Sequence, residues 1–450
     1  MGAQRKGEPA TTVKPRLWTR GFVLLALIQT LDLFTYNMIT PVIAQYATGL
    51  GYTLVMAGVV AGAFTFAALF ARPASGALSD RMGRRRIVLV AVAVGCLAQV
   101  GYAFASDYTA LIALRVVHGF FYALFGTAIS AMAVDNLPEE RRSEGMGWFG
   151  TSYVFANALG PALGVAVSDA FGFMPMFLIG AAIAGCTLVL GLMLPADGAA
   201  RPTGTRGNAS DSNAPAASGA QRSPDLDADN RLTAETTTEA ARPSKDVAMD
   251  TAAPSGKGRL YGLVNTFVSI KCLPLAFAAC CYLTIWGIIS TYIVMVGDAR
   301  GVAGISLFFV ANSITLFFTR PFAGKLADKH GLSAVFFPSV VFEVLAVVLI
   351  ALSQQLWLFL VAAACKALGS GTVTPSIQAK CGELETPDRS GVAMSTYLLG
   401  TDVGYAIGPI IGGAVSAGFG FEAMFFSGLP ILAIGVIVYV IWWRKIRVTK

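Results

Sequence analysis

The chain has 450 residues, of which 55% are apolar and only 13% charged, with a formal net charge of +7. So few charges cannot coat two or three water-soluble domains, which carry about a quarter charged residues. Two histidines, no His–Cys cluster at ligand spacing and no glycine loop between a strand and a helix leave no parts for a metal centre, a catalytic site or an ATPase motor.

Apolar stretches of about 20 residues, the length that crosses ~30 Å of hydrocarbon as a helix, recur from residue 21 to 443. Glycine and proline inside them argue against strands, and in lipid a helix satisfies its own backbone. The expected spans are 21–46, 54–78, 87–105, 109–134, 146–168, 175–194, 272–296, 302–325, 333–353, 355–378, 391–416 and 422–443. The first follows a polar tail without a small-residue cleavage site, so it reads as a retained helix. This gives an all-α membrane protein organised as a tail (1–16), a six-helix bundle (17–194), a linker (195–270), a second six-helix bundle (271–443) and a tail (444–450). Residues 195–260 contain no aromatic side chain, and such a segment is expected to be disordered because it cannot bury enough apolar surface.

The positive charge is distributed by side. Even-numbered connections carry Arg81, Arg84, Arg85, Arg86, Arg141, Arg142, Lys325, Lys329, Lys380 and Arg389, whereas the odd-numbered ones hold a single cation, Arg300. This asymmetry places both termini in the cytoplasm of a multi-pass inner-membrane protein and explains the basic balance without nucleic acid. All seven cysteines lie in spans or on the cytoplasmic side, so free thiols are expected.

The halves repeat at one offset of 248 residues. Arg72-Pro73, Gly76, Leu78, Asp80 and Gly83 return as Arg320-Pro321, Gly324, Leu326, Asp328 and Gly331. Arg141 returns as Arg389, Gly160-Pro161 and Gly164 as Gly408-Pro409 and Gly412, and Phe171-Gly172-Phe173 as Phe419-Gly420-Phe421. One register held at four separate places implies a parallel repeat of two six-helix bundles about an axis along the membrane normal, with a site between them near the midplane.

The loop Gly76-Ala-Leu-Ser-Asp80-Arg81-Met-Gly83-Arg84-Arg85-Arg86 resembles the signature of the major facilitator superfamily, and Gly324-Lys-Leu-Ala-Asp328-Lys329-His330-Gly331 is its weaker copy. The resemblance covers about residues 17–447 and implies a cytoplasmic gate built from Gly76, Asp80, Arg81, Gly83, Arg84, Asp328 and Gly331. A carboxylate there is placed to pair with nearby cations and with a helix N-terminus of the other half. Within the superfamily, three further elements resemble those of twelve-span drug:proton antiporters: Gly160-Pro161-Ala-Leu-Gly164 in span five, Gly404-Tyr-Ala-Ile-Gly408-Pro409-Ile-Ile-Gly412-Gly413 in span eleven, and Asp32, Asn37 and Pro41 in span one. Ala156 and Val165 replace two glycines of the span-five copy, and Thr35 stands one place late in span one. Gly160, Pro161, Gly164, Gly408, Pro409 and Gly412 form the antiporter-type packing set: small residues four apart let a neighbouring backbone approach, and proline permits a bend.

Ionisable and aromatic residues inside spans mark the expected cavity. Gln29, Asp32, Tyr36 and Thr40 share one face of span one, and Arg115, His118, Gly119, Tyr122 and Gly126 share one face of span four. Asp32 lies about 16 Å from the cytoplasmic boundary at ~1.5 Å per residue, and a charge at that depth usually faces a cavity or a partner. The expected cavity set is Asp32, Tyr36, Asn37, Arg115, His118, Tyr122, Lys366, Asp402 and Tyr405, with Asp32 and Arg115 facing one wettable chamber. Although His118 belongs to that set, it reads as a neutral, hydrogen-bonded histidine packed behind the cavity, and Glu343 is expected to neutralise Lys366 structurally. The function these residues support is proton-coupled efflux of a small amphipathic organic compound by alternating access. That carrier would act as a monomer with no bound cofactor or metal and with the proton gradient as its energy source. The alternatives are uptake of a small metabolite such as an organic acid and, remotely, a receptor or scaffold that no longer transports.

Overall fold

In a computed structural model the structure describes residues 16–138, 141–195, 268–386 and 389–448. The N-terminal tail to residue 15, the linker from 196 to 267, Gly76 and the Asp80 side chain lie outside the described residues. Regular structure among the described residues is helical throughout. The helices are α1 (Arg20–Ile39), α2 (Ile43–Gly49), α3 (Leu54–Met82), α4 (Arg84–Phe104), α5 (Tyr108–Asp135), α6 (Arg142–Phe171) and α7 (Phe173–Leu192) in the first half. The second half has α8 (Leu273–Ala299), α9 (Leu307–His330), α10 (Leu332–Leu352), α11 (Leu356–Leu368), α12 (Ser370–Glu383), α13 (Ser390–Phe426) and α14 (Gly428–Val448). They supply twelve helices long and apolar enough to cross a bilayer. Pro41 separates α1 from α2 within the first span, and Gly369 separates α11 from α12 within the tenth.

The eighth span begins at Leu307, later than the expected 302, because Gly301 and Gly304 turn the chain at φ 67° and 74°. The repeat is visible in the backbone itself. Gly83 and Gly331 carry φ of 90° and 80°, and Gly172 and Gly420 carry 85° and 84°; each pair is 248 residues apart. A side chain there would be strained, so the sharp reversals between spans two and three, five and six, and their copies, are written as glycine. Arg300, the single cation of the odd-numbered loops, donates to the carbonyls of Ile350, Ala351 and Ser353 at 2.6–2.8 Å. It satisfies the C-terminal end of α10, where a cation is favoured by the helix dipole, and partial burial pulls its pKa below the ordinary guanidinium value.

Two faces of the bundle can be told apart: the terminal face, where Arg20 and Arg444 lie, and the far face at the other ends of the spans. Small residues set the packing. A Cβ on Gly164 would stand 2.2 Å from the Met38 carbonyl, and one on Gly408 would stand 2.4 Å from that of Thr284. These contacts seat α6 on α1 and α13 on α8 at repeat-related positions. The halves themselves meet where α3 crosses α13 towards the far face. A Cβ on Gly58 would lie 2.3 Å from the Pro409 carbonyl, and one on Gly413 would lie 2.4 Å from that of Leu54. The Tyr292 hydroxyl donates to the Pro409 carbonyl at 2.8 Å, and Gln45 donates to Asp298 at 2.5 Å across the same face. The first-half copy of Gly413 is the buried Val165, so this backbone-to-backbone approach is built on one side of the repeat only.

That asymmetry yields a testable expectation. Gly413→Val places carbon where the Leu54 carbonyl now sits, and overpacking of this kind costs about 1–3 kcal/mol. The substitution should disfavour closure of the far face by about 5- to 150-fold. Thiol labelling of Gln45→Cys in the variant should rise while transport falls. Unchanged labelling would show that α3 and α13 do not form the closure.

Candidate functional site

Asp32 sits twelve residues into α1, about 18 Å along the axis. It forms no ion pair among the described residues, and its Oδ2 is buried without a hydrogen-bond partner, as is Oε1 of Gln29 one turn earlier. One turn later, Tyr36 stacks on Phe64 and on Tyr122 with centroids 4.8 and 4.9 Å apart. Asp32 and Arg72 lie within electrostatic reach of Tyr122. A carboxylate, two phenols and a phenylalanine from α1, α3 and α5 therefore make one wall at mid-membrane depth.

Arg115 is not in that wall, which corrects the expectation that it shares a chamber with Asp32. Its Nε and Nη2 donate to the Val60 and Ala61 carbonyls at 3.2 and 3.0 Å, and its guanidinium lies 4.6 Å from the Phe64 centroid. Tyr36 stacks on the same ring at 4.8 Å, and one face cannot hold both groups at those distances. Phe64 therefore stands between Arg115 and the Tyr36 ring, one turn from Asp32, and Nη1 of Arg115 is buried without a hydrogen-bond partner. The carbonyls of α3 meet the guanidinium because Gly119 lets α5 approach: a Cβ there would lie 2.0 Å from the Phe64 carbonyl. His118 is likewise in the layer behind, with Nδ1 3.2 Å from the Tyr102 hydroxyl. Asn37 turns its amide to the Leu33 carbonyl at 2.8 Å and packs against Gly160 of α6; it belongs to the α1–α6 contact, not to the cavity.

In the second half Lys366, Tyr405 and Asp402 do reach the interface region. Lys366 donates to Glu343 at 2.5 Å and to Ser370 Oγ at 2.7 Å, with its ammonium 5.5 Å from the Trp286 ring centroid. The other Glu343 oxygen accepts from the Ser370 backbone N–H at 2.9 Å. The break at Gly369 is what frees that N–H: it opens a new helix N-terminus at mid-membrane, where an anion is favoured. The ion pair is wholly buried. Removing one partner strands a charge and should cost about 3–5 kcal/mol, whereas an apolar replacement of both is about neutral. Glu343→Leu and Lys366→Met should therefore each lower the Tm of the purified protein, and the double variant should recover most of the loss. Additive losses would show that the pair is not a unit.

Lys366 lines a cavity of about 60 Å³ together with Tyr153, Asn157, Asn312, Arg320 and Ser370. That volume takes a few waters and is well below the ~300 Å³ of a small-molecule pocket. The halves face each other across it, and Tyr405 lies within reach of Tyr153, Tyr36 and Trp286. Asp402, on α13, forms an ion pair with both Nε and Nη2 of Arg72, on α3. This is a charge-to-charge link between the two halves. Arg72 was read from the sequence only as part of the repeat; its offset to Arg320 was the available signal. Tyr153, Phe64, Trp286 and Asn312 carried no such signal, because aromatic and amide residues in a span look like packing.

The repeat organises these positions. Phe64 corresponds to Asn312, His118 to Lys366, Tyr122 to Ser370, Asn157 to Tyr405 and Gly95 to Glu343. Equivalent places thus line both halves with different chemistry: mainly aromatic around a lone carboxylate in the first, polar and ionic in the second. At the terminal face, Arg84 pairs with Asp135 of its own half. Arg81 and Asp328 are exposed, Asp328 lining a cleft between α9 and α12. Among the described residues no group of His, Cys, Asp and Glu is placed to hold a metal ion.

This architecture agrees with the sequence comparison, since the profile of the Major Facilitator Superfamily matches residues 25–224 and 275–450. The chain belongs to the Major Facilitator Superfamily. It is a transporter with twelve membrane helices, and its partners are accordingly a small-molecule substrate and the lipid bilayer. Curated superfamily relatives include a multi-drug resistance efflux pump PmrA homolog of Lactococcus lactis, 24% identical over 91% of this chain and 90% of that protein. The class H tetracycline resistance protein of Pasteurella multocida is 24% identical over 93% and 94%. Among solved superfamily structures, a POT family transporter in complex with 5-aminolevulinic acid has a TM-score of 0.71 at 16% identity, covering 94% of this chain and 96% of that one; at that identity the likeness is one of fold.

Proposed function

We propose that this chain is a proton-coupled antiporter, not an enzyme, that expels small amphipathic organic compounds from the cytoplasm. In this reading it lies in the inner cell membrane as a monomer, with the terminal face and both termini cytoplasmic. The observation that carries the proposal is Asp32: a mid-membrane carboxylate with no cation beside it among the described residues and one oxygen unsatisfied. Such a group is expensive to keep charged in a dry site and regains a proton readily. When the site opens to water the charged form is favoured, and when it closes the protonated form is. The proton gradient is then the energy source and Asp32 the proton carrier, with Tyr36 and Tyr122 shaping the pocket. The names of the relatives, a multi-drug resistance efflux pump and a tetracycline resistance protein, support the outward direction.

The contacts of Gly58 and Gly413 hold the far face shut, and the Arg72–Asp402 pair ties the halves together deeper in the membrane. Substrate arriving from the cytoplasm would have to separate the halves on the terminal side, where the Asp80 and Asp328 loops lie. The test uses energised everted vesicles and a panel that includes tetracycline, a quinolone and ethidium. Addition of a substrate should collapse an imposed pH gradient in proportion to its uptake. Exchange that is indifferent to the gradient would overturn antiport and favour the uptake-carrier alternative.

A further inference from the structure

We propose that Arg320 recognises an anionic group on the transported molecule, so that the cargo is an amphipathic organic acid or zwitterion carrying a carboxylate or sulfonate. This rests on the transport reading above and adds the substrate class. Arg320 is the repeat copy of Arg72. Arg72 is neutralised across the halves by Asp402, but the residue 248 places before Asp402 is Val154. The second half has therefore kept the arginine while the first half lacks its carboxylate. Arg320 forms no ion pair among the described residues, and its Nε is buried without a hydrogen-bond partner.

The location fits a ligand group rather than a topology signal. Arg320 stands ten residues before the end of α9, about 15 Å along the axis. A guanidinium at that depth is costly unless paired or hydrated. It lines both the 60 Å³ midplane cavity and a cleft of about 370 Å³ between α9 and α12 at the terminal face. The cleft is large enough for a small organic molecule. Neighbouring charges are committed elsewhere. Lys366 is bound to Glu343, Lys380 to Glu383, and Asp328 lies eight residues further along α9, about 12 Å away along the axis. A planar guanidinium binds carboxylate or sulfonate through two parallel hydrogen bonds, and Tyr153, Asn157, Asn312 and Thr374 line the same midplane cavity.

The experiment measures the Tm of the purified full-length protein with p-toluenesulfonate, 4-butylbenzoate and their neutral amides. The anions should raise the Tm in proportion to log concentration, and the amides should not. Arg320→Gln should weaken the anion response by about ten- to a hundredfold, and Arg320→Lys should keep part of it. Val154→Asp supplies the missing carboxylate, so it should raise the ligand-free Tm and remove the anion response. Equal stabilisation by acids and amides, or an undiminished response in Arg320→Gln and Val154→Asp, overturns the proposal. Asp32→Asn separates the two readings: it should leave the anion response intact while proton movement is lost, and a missing proton response in wild-type vesicles would count against antiport alone.

Discussion

Asp32→Asn should abolish substrate-driven proton movement while leaving the protein at least as stable as the wild type. The sign follows from the burial. A charged carboxylate at the bilayer centre costs about 2.5–3.5 kcal/mol, and Asp32, which has no cation beside it among the described residues, avoids that cost only by taking up a proton, at a free-energy cost of its own. Asparagine removes the titration and that penalty together, so the Tm should hold or rise while gradient-coupled flux falls to background in everted vesicles. Equilibrium exchange of substrate, which needs no proton, should persist. A residue that only pins α1 to its neighbours would behave in the opposite way, with lower Tm and exchange and coupling reduced in parallel. Gradient-driven flux at the wild-type rate in this variant would remove Asp32 from the mechanism.

The second large effect concerns the link between halves. Arg72→Gln leaves Asp402 in a site where its side chain is about 10% exposed, and breaking such a pair costs about 3–5 kcal/mol. The loss falls on the conformation in which α3 and α13 are together. It should lower the Tm and loosen the contact between the halves. Asp402→Asn should be milder, because Arg72 is partly exposed and a long side chain reaches water. Close charge pairs across an interface show couplings of about 1.5–7 kcal/mol in double-mutant cycles. The Arg72→Asp, Asp402→Arg exchange should therefore recover a large share of transport and of the Tm lost in the single variants. Strict additivity of the two single variants would show that the pair does not hold the halves together.

Much of the architecture was legible because a bilayer is a severe solvent. A run of about 20 apolar residues has few alternatives in lipid, so the twelve spans, the side asymmetry of arginine and lysine, and the glycines at 83, 172, 331 and 420 could be read along the chain. The 248-residue register also announced that residues from both halves would meet. Where it misled was in direction. Arg115 was expected to share a chamber with Asp32, yet Phe64 stands between its guanidinium and the Tyr36 ring, and its Nε and Nη2 donate to carbonyls of α3. Asn37 went the same way, turned to the backbone of α1, whereas His118 lies behind the cavity on Tyr102, the packed position that was the favoured reading of it. Helical periodicity assigns a residue to a face but does not say which helix covers that face.

What the sequence by itself determined is the solvent and the repeat: a chain this apolar, with its cations on alternate loops and one fixed internal offset, has to cross a membrane twelve times as two related bundles. Only the tertiary structure decided which charges neutralise one another. Arg72 found Asp402 on the opposite half, Lys366 found Glu343 at the helix break of Gly369, and Asp32 and Arg320 were left without a partner among the described residues. The reason is physical. Span length and topology follow from hydropathy, which is additive along the chain, whereas pairing depends on angstrom-scale approach between helices far apart in sequence, set by which neighbours are glycine and which are not.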